Sequence, residues 1–174
     1  MIATARLDLH PLPLPVIEAL LAGDVAGAGA QVPYAVTAAS FPDDAYVLGL
    51  RRDQLRADPS ELPWLYRAAV LRETDEVVAR AGFHAPPDPH GTVEIGYRVQ
   101  PARQRQGLAT EIVDGLLRWA SCAGALRCLA STGPHNVASQ AVLARFGFRQ
   151  TGEQWDDVDG RELVFTLQPL PGLR

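Results

Sequence analysis

Apolar positions along this chain change their spacing several times, and each change marks an element. From Ile2 to Leu9 apolar and polar residues alternate, the period-two pattern of a half-buried strand. The run His10-Pro11-Leu12-Pro13-Leu14-Pro15 makes a turn. Pro15 suits the first turn of a helix. Val16, Ile17, Leu20 and Leu21 form the apolar stripe of that helix, and Gly23 closes it. Residues 24–32 are small and glycine-rich, predicting a loop with a brief helix at most. Pro42-Asp43-Asp44 is expected to cap a second helix over 45–57. Strands at 64–71 and 76–84 flank the turn Arg72-Glu73-Thr74-Asp75. A proline-rich turn over 85–91 leads to a strand from Thr92 to Val99, ended by Pro101, which has no N–H to donate. Ile112, Val113, Leu116, Leu117 and Ala120 then recur at helical spacing. A further strand is expected over 126–131. Asn136 can cap a helix from Val137 to Arg145 that Gly147 ends. Strands over 149–156 and 161–168 close the chain as a hairpin around Asp159-Gly160. The order βααβββαβαββ is of the α/β class, a mixed central sheet with helices on both faces.

Composition narrows the function classes. The 174 residues are expected to form one domain with a sizeable core. Net charge is −4, so neither nucleic acid nor an anionic membrane is an expected partner. All 16 basic residues are arginine. Cys122 and Cys128 stand without a metal-ligand cluster. They read as reduced, partly buried thiols of a cytoplasmic protein, and no metal is expected. The chain opens with no signal-peptide pattern, and no apolar run is long enough to span a bilayer.

Two stretches carry candidate chemistry. The first is Arg103-Gln104-Arg105-Gln106-Gly107-Leu108-Ala109, where a strand has just ended and a helix begins. A helix start offers unpaired N–H groups and the positive end of the dipole. Gly107 lets a ligand approach the backbone. Arg98, Arg103 and Arg105 add positive charge, with no acid between Gln100 and Thr110. These features predict a seat for a phosphate or pyrophosphate. The second is Glu94, a carboxylate within an apolar strand. Burial is expected to raise its pKa and suit it to accept a proton as a general base.

Gln104-Arg105-Gln106-Gly107-Leu108-Ala109 matches the [Gln/Arg]-x-x-Gly-x-[Gly/Ala] turn of the GNAT superfamily of acetyl-CoA-dependent N-acetyltransferases. With Glu94-Ile95-Gly96-Tyr97 before it, and Asn136-Val137-Ala138-Ser139 and Phe146-Gly147-Phe148 after it, the chain resembles the branch of the ribosomal-protein N-terminal acetyltransferases. Its start, Ala5 to Leu12, resembles that branch's first strand. The likeness runs end to end and is strongest from Thr92 to Phe148.

The resemblance implies the GNAT fold, in which the central strand and its neighbour splay apart. It implies acetyl-CoA as co-substrate, its pantetheine arm pairing with backbone near Arg98 and Val99. Its pyrophosphate would sit on the amides of Arg105, Gln106, Gly107, Leu108, Ala109 and Thr110, in the turn that Gln104 opens. Asn136 would bond the pantetheine arm, and Ser139 would stand near the leaving thiolate. Glu94 would be the base. Many members carry a tyrosine as thiolate acid where this chain has Leu143, so Ser139, Tyr97 or a water must supply that proton, or the thiolate leaves unprotonated.

The implied reaction moves an acetyl group directly to a primary amine of a protein N-terminus or a small molecule. The alternative is an acetyl-CoA-binding regulatory or assembly module with little catalysis. The resemblance also leaves room for a homodimer. The acceptor end is less specific. Glu153, Asp156, Asp157, Asp159 and Glu162 crowd the last hairpin, opposed only by Arg161. A solvated acidic turn is the plainer reading, and a cationic acceptor the functional one. His84 and His90 read first as loop histidines, with the alternative that they orient substrate or tune Glu94. His135 carries no separate signal. Trp64, Trp119 and Trp155 read as core or cleft wall.

Overall fold

A computed structural model describes residues 1–158 and 160–170. Eight strands form one sheet in the order β1-β2-β3-β4-β5-β6-β8-β7. They are β1 (Ile2–Ala3), β2 (Leu7–Pro11), β3 (Arg67–Leu71), β4 (Glu76–Phe83), β5 (Thr92–Val99), β6 (Arg127–Thr132), β7 (Arg149–Asp156) and β8 (Gly160–Leu167). Every neighbouring pair is antiparallel except β5 and β6, which run parallel.

Alternation along the strands divides the core in two. On β3, Ala69 faces one side, while Ala68 and Val70 face the other. The first side is covered by α4 (Leu108–Cys122), which buries Ile112, Val113, Leu116, Leu117 and Ala120. Gly115 costs that helix some intrinsic stability, and its reason is close packing: a Cβ there would stand 2.8 Å from the Thr4 methyl. The second side is covered by α1 (Leu14–Leu21), α2 (Val25–Gly29) and α3 (Ala45–Ala57). Helix α5 (Val137–Arg145) adds Leu143 to the α4-side core.

The sheet forks in the middle. β5 pairs with β6 only at Thr92↔Arg127, Val93↔Cys128 and Glu94↔Leu129. Beyond that point β5 stays with β4, from Ile95↔Phe83 to Val99↔Ala79. β6 stays with β8, from Ala130↔Phe165 to Thr132↔Leu163. The splay that the resemblance implies is therefore present, and Glu94 is the last residue of β5 that pairs with β6.

Four expectations need correction. The single strand at 2–9 is a hairpin of β1 and β2, because the Thr4 hydroxyl and Leu7 backbone bond each other and turn the chain. The strand expected from Trp64 begins at Arg67, since the Trp64 N–H closes a turn onto the Glu61 carbonyl. Asp44 stands at the cap position of α3, but its buried side chain accepts from Tyr66 and pairs with Arg80 instead of capping. Of the two free thiols, Cys128 is buried as expected and Cys122 is exposed.

Candidate active site

An open cleft of about 1130 Å³ fills the fork between β5 and β6. Glu94 stands at its apex. Its Oε1 accepts from Ser131 Oγ at 2.7 Å, spanning the gap just where the strands part. The Gln154 amide of β7 donates to Ser131 Oγ at 3.2 Å and to Glu162 Oε2 at 2.9 Å. On its other side, Glu94 Oε2 lies 3.5 Å from His84 Nδ1. Burial pushes the Glu94 carboxyl up, but the His84 imidazole and the Ser131 hydroxyl together outweigh burial and hold it below the ordinary glutamate value. The expected rise is thus reversed, and Glu94 is ionised at neutral pH.

The chain holds His84 in place from three sides. Its N–H donates to the Glu94 carbonyl at 2.9 Å. Its own carbonyl accepts from Arg51 Nη1 at 2.8 Å and from Gln54 Nε2 at 2.9 Å, both on α3. Its ring lies over Gly96, where a Cβ would come within 3.1 Å of Nε2.

Farther along β5, Tyr97 OH and Ser139 Oγ are 2.9 Å apart. Burial raises the Tyr97 phenol more than the Ser139 contact lowers it. Asn136 Oδ1 accepts from the Ser139 N–H at 3.1 Å, capping α5 as expected. Leu143 is buried in the core away from this chemistry. Arg98 lines the cleft with an exposed side chain, and Val99 is buried with its carbonyl accepting from Gln104 Nε2 at 3.2 Å.

The turn entering α4 is exposed from Gln104 to Gly107, and Leu108 anchors it in the core. Arg105 (φ +59°) and Gly107 (φ +79°) adopt left-handed conformations, the kind of turn backbone that can form an anion-binding concavity. Gly107 caps α4 with no side chain bonded to the free N–H groups of Ala109 and Thr110. Arg103 does not add to this charge, because it pairs with Glu76. Arg6 adds instead, from the first hairpin. Its Nη1 donates to the Gln106 carbonyl at 3.1 Å, and its Nη2 lies 3.6 Å from where a Gly107 Cβ would be. Glu111 fixes Arg6 through Oε2 at 2.8 Å and accepts from Thr4 Oγ1 at 2.6 Å.

The last hairpin reaches the cleft through Trp155, Asp156, Arg161 and Glu162. Arg161 is tied to Glu153 at 2.8 Å, so the acidity is partly neutralised. Asp159 lies outside the described residues. Trp155 is 76% exposed on the cleft rim, while Trp64 and Trp119 stack edge-on in the core at 4.6 Å. His135 lines the cleft, and His90 does not. Among the described residues, no group of three His, Cys, Asp or Glu is placed to hold a metal ion. Among them, too, no helix is long and apolar enough to cross a membrane.

A family model described as an acetyltransferase (GNAT) domain matches residues 33–149. The chain belongs to the GNAT acetyltransferase family. That segment holds Glu94, the Gly107 turn, Asn136 and Ser139. This GNAT chain is 34% identical over 82 residues to the uncharacterized N-acetyltransferase YoaA of Bacillus subtilis, covering 47% of this chain and 46% of that one. The chain thus spans about half the length of the curated relatives it matches. Its fold is similar to a probable GNAT-family acetyltransferase from Chromobacterium violaceum (TM-score 0.64, 29% identity, covering 96% of this chain and 85% of that one). It is also similar in fold to Mycobacterium smegmatis RimJ, solved in complex with CoA-disulfide (TM-score 0.65, 21% identity, covering 96% and 86%).

Ser131, Gln154 and Arg6 were not expected at the site. Ser131 and Gln154 carry no motif, and only the register of β6 and β7 brings them to Glu94. Arg6 had one signal, a lone arginine facing Glu111, but the pair is 105 residues apart.

Proposed function

We propose that residues 1–174 work as one N-acetyltransferase, transferring acetyl from acetyl-CoA to a primary amine of a protein N-terminus or a small molecule. The observation that carries this reading is the fork itself. A carboxylate stands at its apex, a hydroxyl pair lies along one arm, and a turn with uncapped amides follows the end of that arm. The residues fit acetyl-CoA: the first-turn amides of α4 are uncapped, and Gly107 leaves room above the backbone. Beyond Glu94, the edge of β5 facing β6 is free of strand pairing, so backbone near Arg98 and Val99 can bond an extended arm.

Acetyl-CoA supplies an activated thioester. The amides of Arg105 to Thr110 hold its pyrophosphate, with Gln104 bracing the turn and Arg6 beside it. Asn136 keeps its amide nitrogen available to the pantetheine arm while its oxygen caps α5. Glu94 draws the acceptor ammonium to the apex and promotes loss of its proton. The Tyr97–Ser139 pair stands where the sulfur would leave and offers it a proton, in place of the tyrosine absent at Leu143.

The test is thiol release from acetyl-CoA across a panel of amines and N-terminal peptides. Acetylation of at least one class, confirmed by mass spectrometry, is the expected result. Tight acetyl-CoA binding with no turnover on any acceptor would overturn it in favour of a binding module.

A further inference from the structure

Glu94 Oε1 accepts from Ser131, and its Oε2 faces His84 Nδ1 at 3.5 Å. That leaves the question of which atom receives the acceptor's proton. We propose that His84 Nε2 takes it, with Glu94 orienting the ring. This rests on the transfer reading above and names the proton acceptor within it.

The geometry argues as follows. A carboxylate can only accept, so the His84 nitrogen facing it, Nδ1, carries the ring's proton when the imidazole is neutral. Nε2 then presents a lone pair. The side chain is half exposed on the cleft wall, and Nε2 lies above Gly96, the next β5 residue on the Glu94 face. A Cβ at position 96 would stand 3.1 Å from Nε2, so glycine gives the imidazole its closest approach to the strand. The main chain at His84 is bonded on both sides, to Glu94 and to the Arg51 and Gln54 pair. A loop histidine without function needs no such placement.

The contact of 3.5 Å between Nδ1 and Oε2 is long for a hydrogen bond. Catalytic hydrogen bonds commonly lengthen in the empty site and tighten around substrate.

Other titratable and charged groups share this cleft. Arg51 comes from α3, Arg80 from β4, and Tyr97 and Arg98 from β5. Tyr66 precedes β3, and His135 follows β6. Asp156, Arg161 and Glu162 face it from the last hairpin. Among the described contacts, Glu94 is the one acid paired with the His84 ring.

The step balances without any further reactant. The ammonium gives one proton to Nε2, and the ring becomes an imidazolium facing the Glu94 carboxylate. The freed amine lone pair forms the N–C bond to the acetyl carbon, and the C–S bond breaks with its electrons on sulfur. The thiolate takes a proton from the Tyr97–Ser139 pair, the second proton shed by nitrogen as the amide forms restores that pair, and the imidazolium gives its own to solvent. One proton leaves to solvent for each turnover.

The test compares His84→Gln with Glu94→Gln in the full chain. His84→Gln should lower kcat/KM by about 10²-fold or more, with the acetyl-CoA Kd unchanged. It should also remove the histidine's acid limb from the kcat/KM–pH profile, leaving only the rise that the acceptor amine itself contributes. Glu94→Gln should keep that limb but move it to lower pH, because the protonated ring loses its counter-charge. Should His84→Gln fail to fold, nitrogen NMR of the wild-type chain decides instead: the neutral ring should carry its proton on Nδ1. Activity of His84→Gln within about threefold of wild type, with the limb in place, overturns the proposal. So does a neutral ring protonated on Nε2, or a loss wholly explained by weaker acetyl-CoA binding. Wild-type turnover with an unaffected His84→Gln defeats His84 alone, whereas no wild-type turnover defeats the transfer reading beneath it.

Discussion

The two ends of the cleft are built by different means. At one end, the turn from Gln104 to Thr110 offers main-chain amides, and its shape comes from two left-handed residues and a helix start within a few positions of each other. At the other, Glu94, Ser131, Gln154 and His84 converge from four strands and loops, each held by a partner distant in sequence. Main-chain recognition tolerates many side chains but depends on backbone conformation. Side-chain recognition depends on identity and on register. Substitutions should therefore fail in opposite ways at the two ends: by geometry and charge at the turn, by chemistry at the apex.

The sharpest way to separate the two ends is Gly107→Glu. It places an anion in the proposed phosphate seat and forces a side chain onto a φ of +79°. Acetyl-CoA binding should be abolished by titration calorimetry. Wild-type affinity would break the assignment of the turn. Next in size is Glu94→Gln, which keeps shape but cannot hold a negative charge. It should lower kcat/KM by about 10²–10⁴-fold near neutral pH while leaving acetyl-CoA affinity intact. On the alkaline side the defect should shrink, since more of the acceptor amine is then already neutral and needs no base. Activity close to wild type would make Glu94 a structural residue of the fork.

A smaller effect is expected at the thiolate. Tyr97→Phe removes the hydroxyl bonded to Ser139 and should cost kcat about tenfold or less, because a thiolate leaves readily without a proton. Pre-steady-state thiol release measures it, and an unchanged burst would assign that proton to water.

The smallest effect is one of stability and lies beneath the turn. Burial raises the Glu111 carboxyl, but bonds from Thr4 and Arg6 lower it further, so its folded value falls below the ordinary 4.5. A depressed carboxyl stabilises the fold above the unfolded value and loses that contribution as pH drops through the folded one. Glu111→Gln should therefore melt below wild type at pH 7, and the gap in Tm should close as pH falls from about 4.5 toward the folded value. A gap that persists unchanged at low pH would show that packing, not charge, joins the hairpin to α4.

What the chain revealed in advance follows the same division. β5 and α5 were predicted to the residue, because Pro101 stops one while Asn136 and Gly147 bracket the other. The N-terminal hairpin was missed: alternation continues through Thr4 to Arg6, and only the Thr4–Leu7 bonds and the Glu111 contact reveal the turn. Asp44 was misread because a capping position does not say which way a side chain points. At the site, the glycine turn and the helix start after it were legible as a local pattern. The sign of the Glu94 shift was not, since it depends on Ser131 in a strand 37 residues on and on a histidine across a loop. Burial alone argued for a rise, and tertiary partners reversed it.

The fork has a consequence for amide hydrogen exchange. From Ile95 to Val99 one edge of β5 has β4, and the other has no strand beside it. Peptide groups on that second edge lack a strand partner in the middle of a sheet, where exchange is ordinarily slowest. Acetyl-CoA should slow their deuterium uptake without altering that of β3, giving a signature of cofactor engagement that needs no acceptor at all.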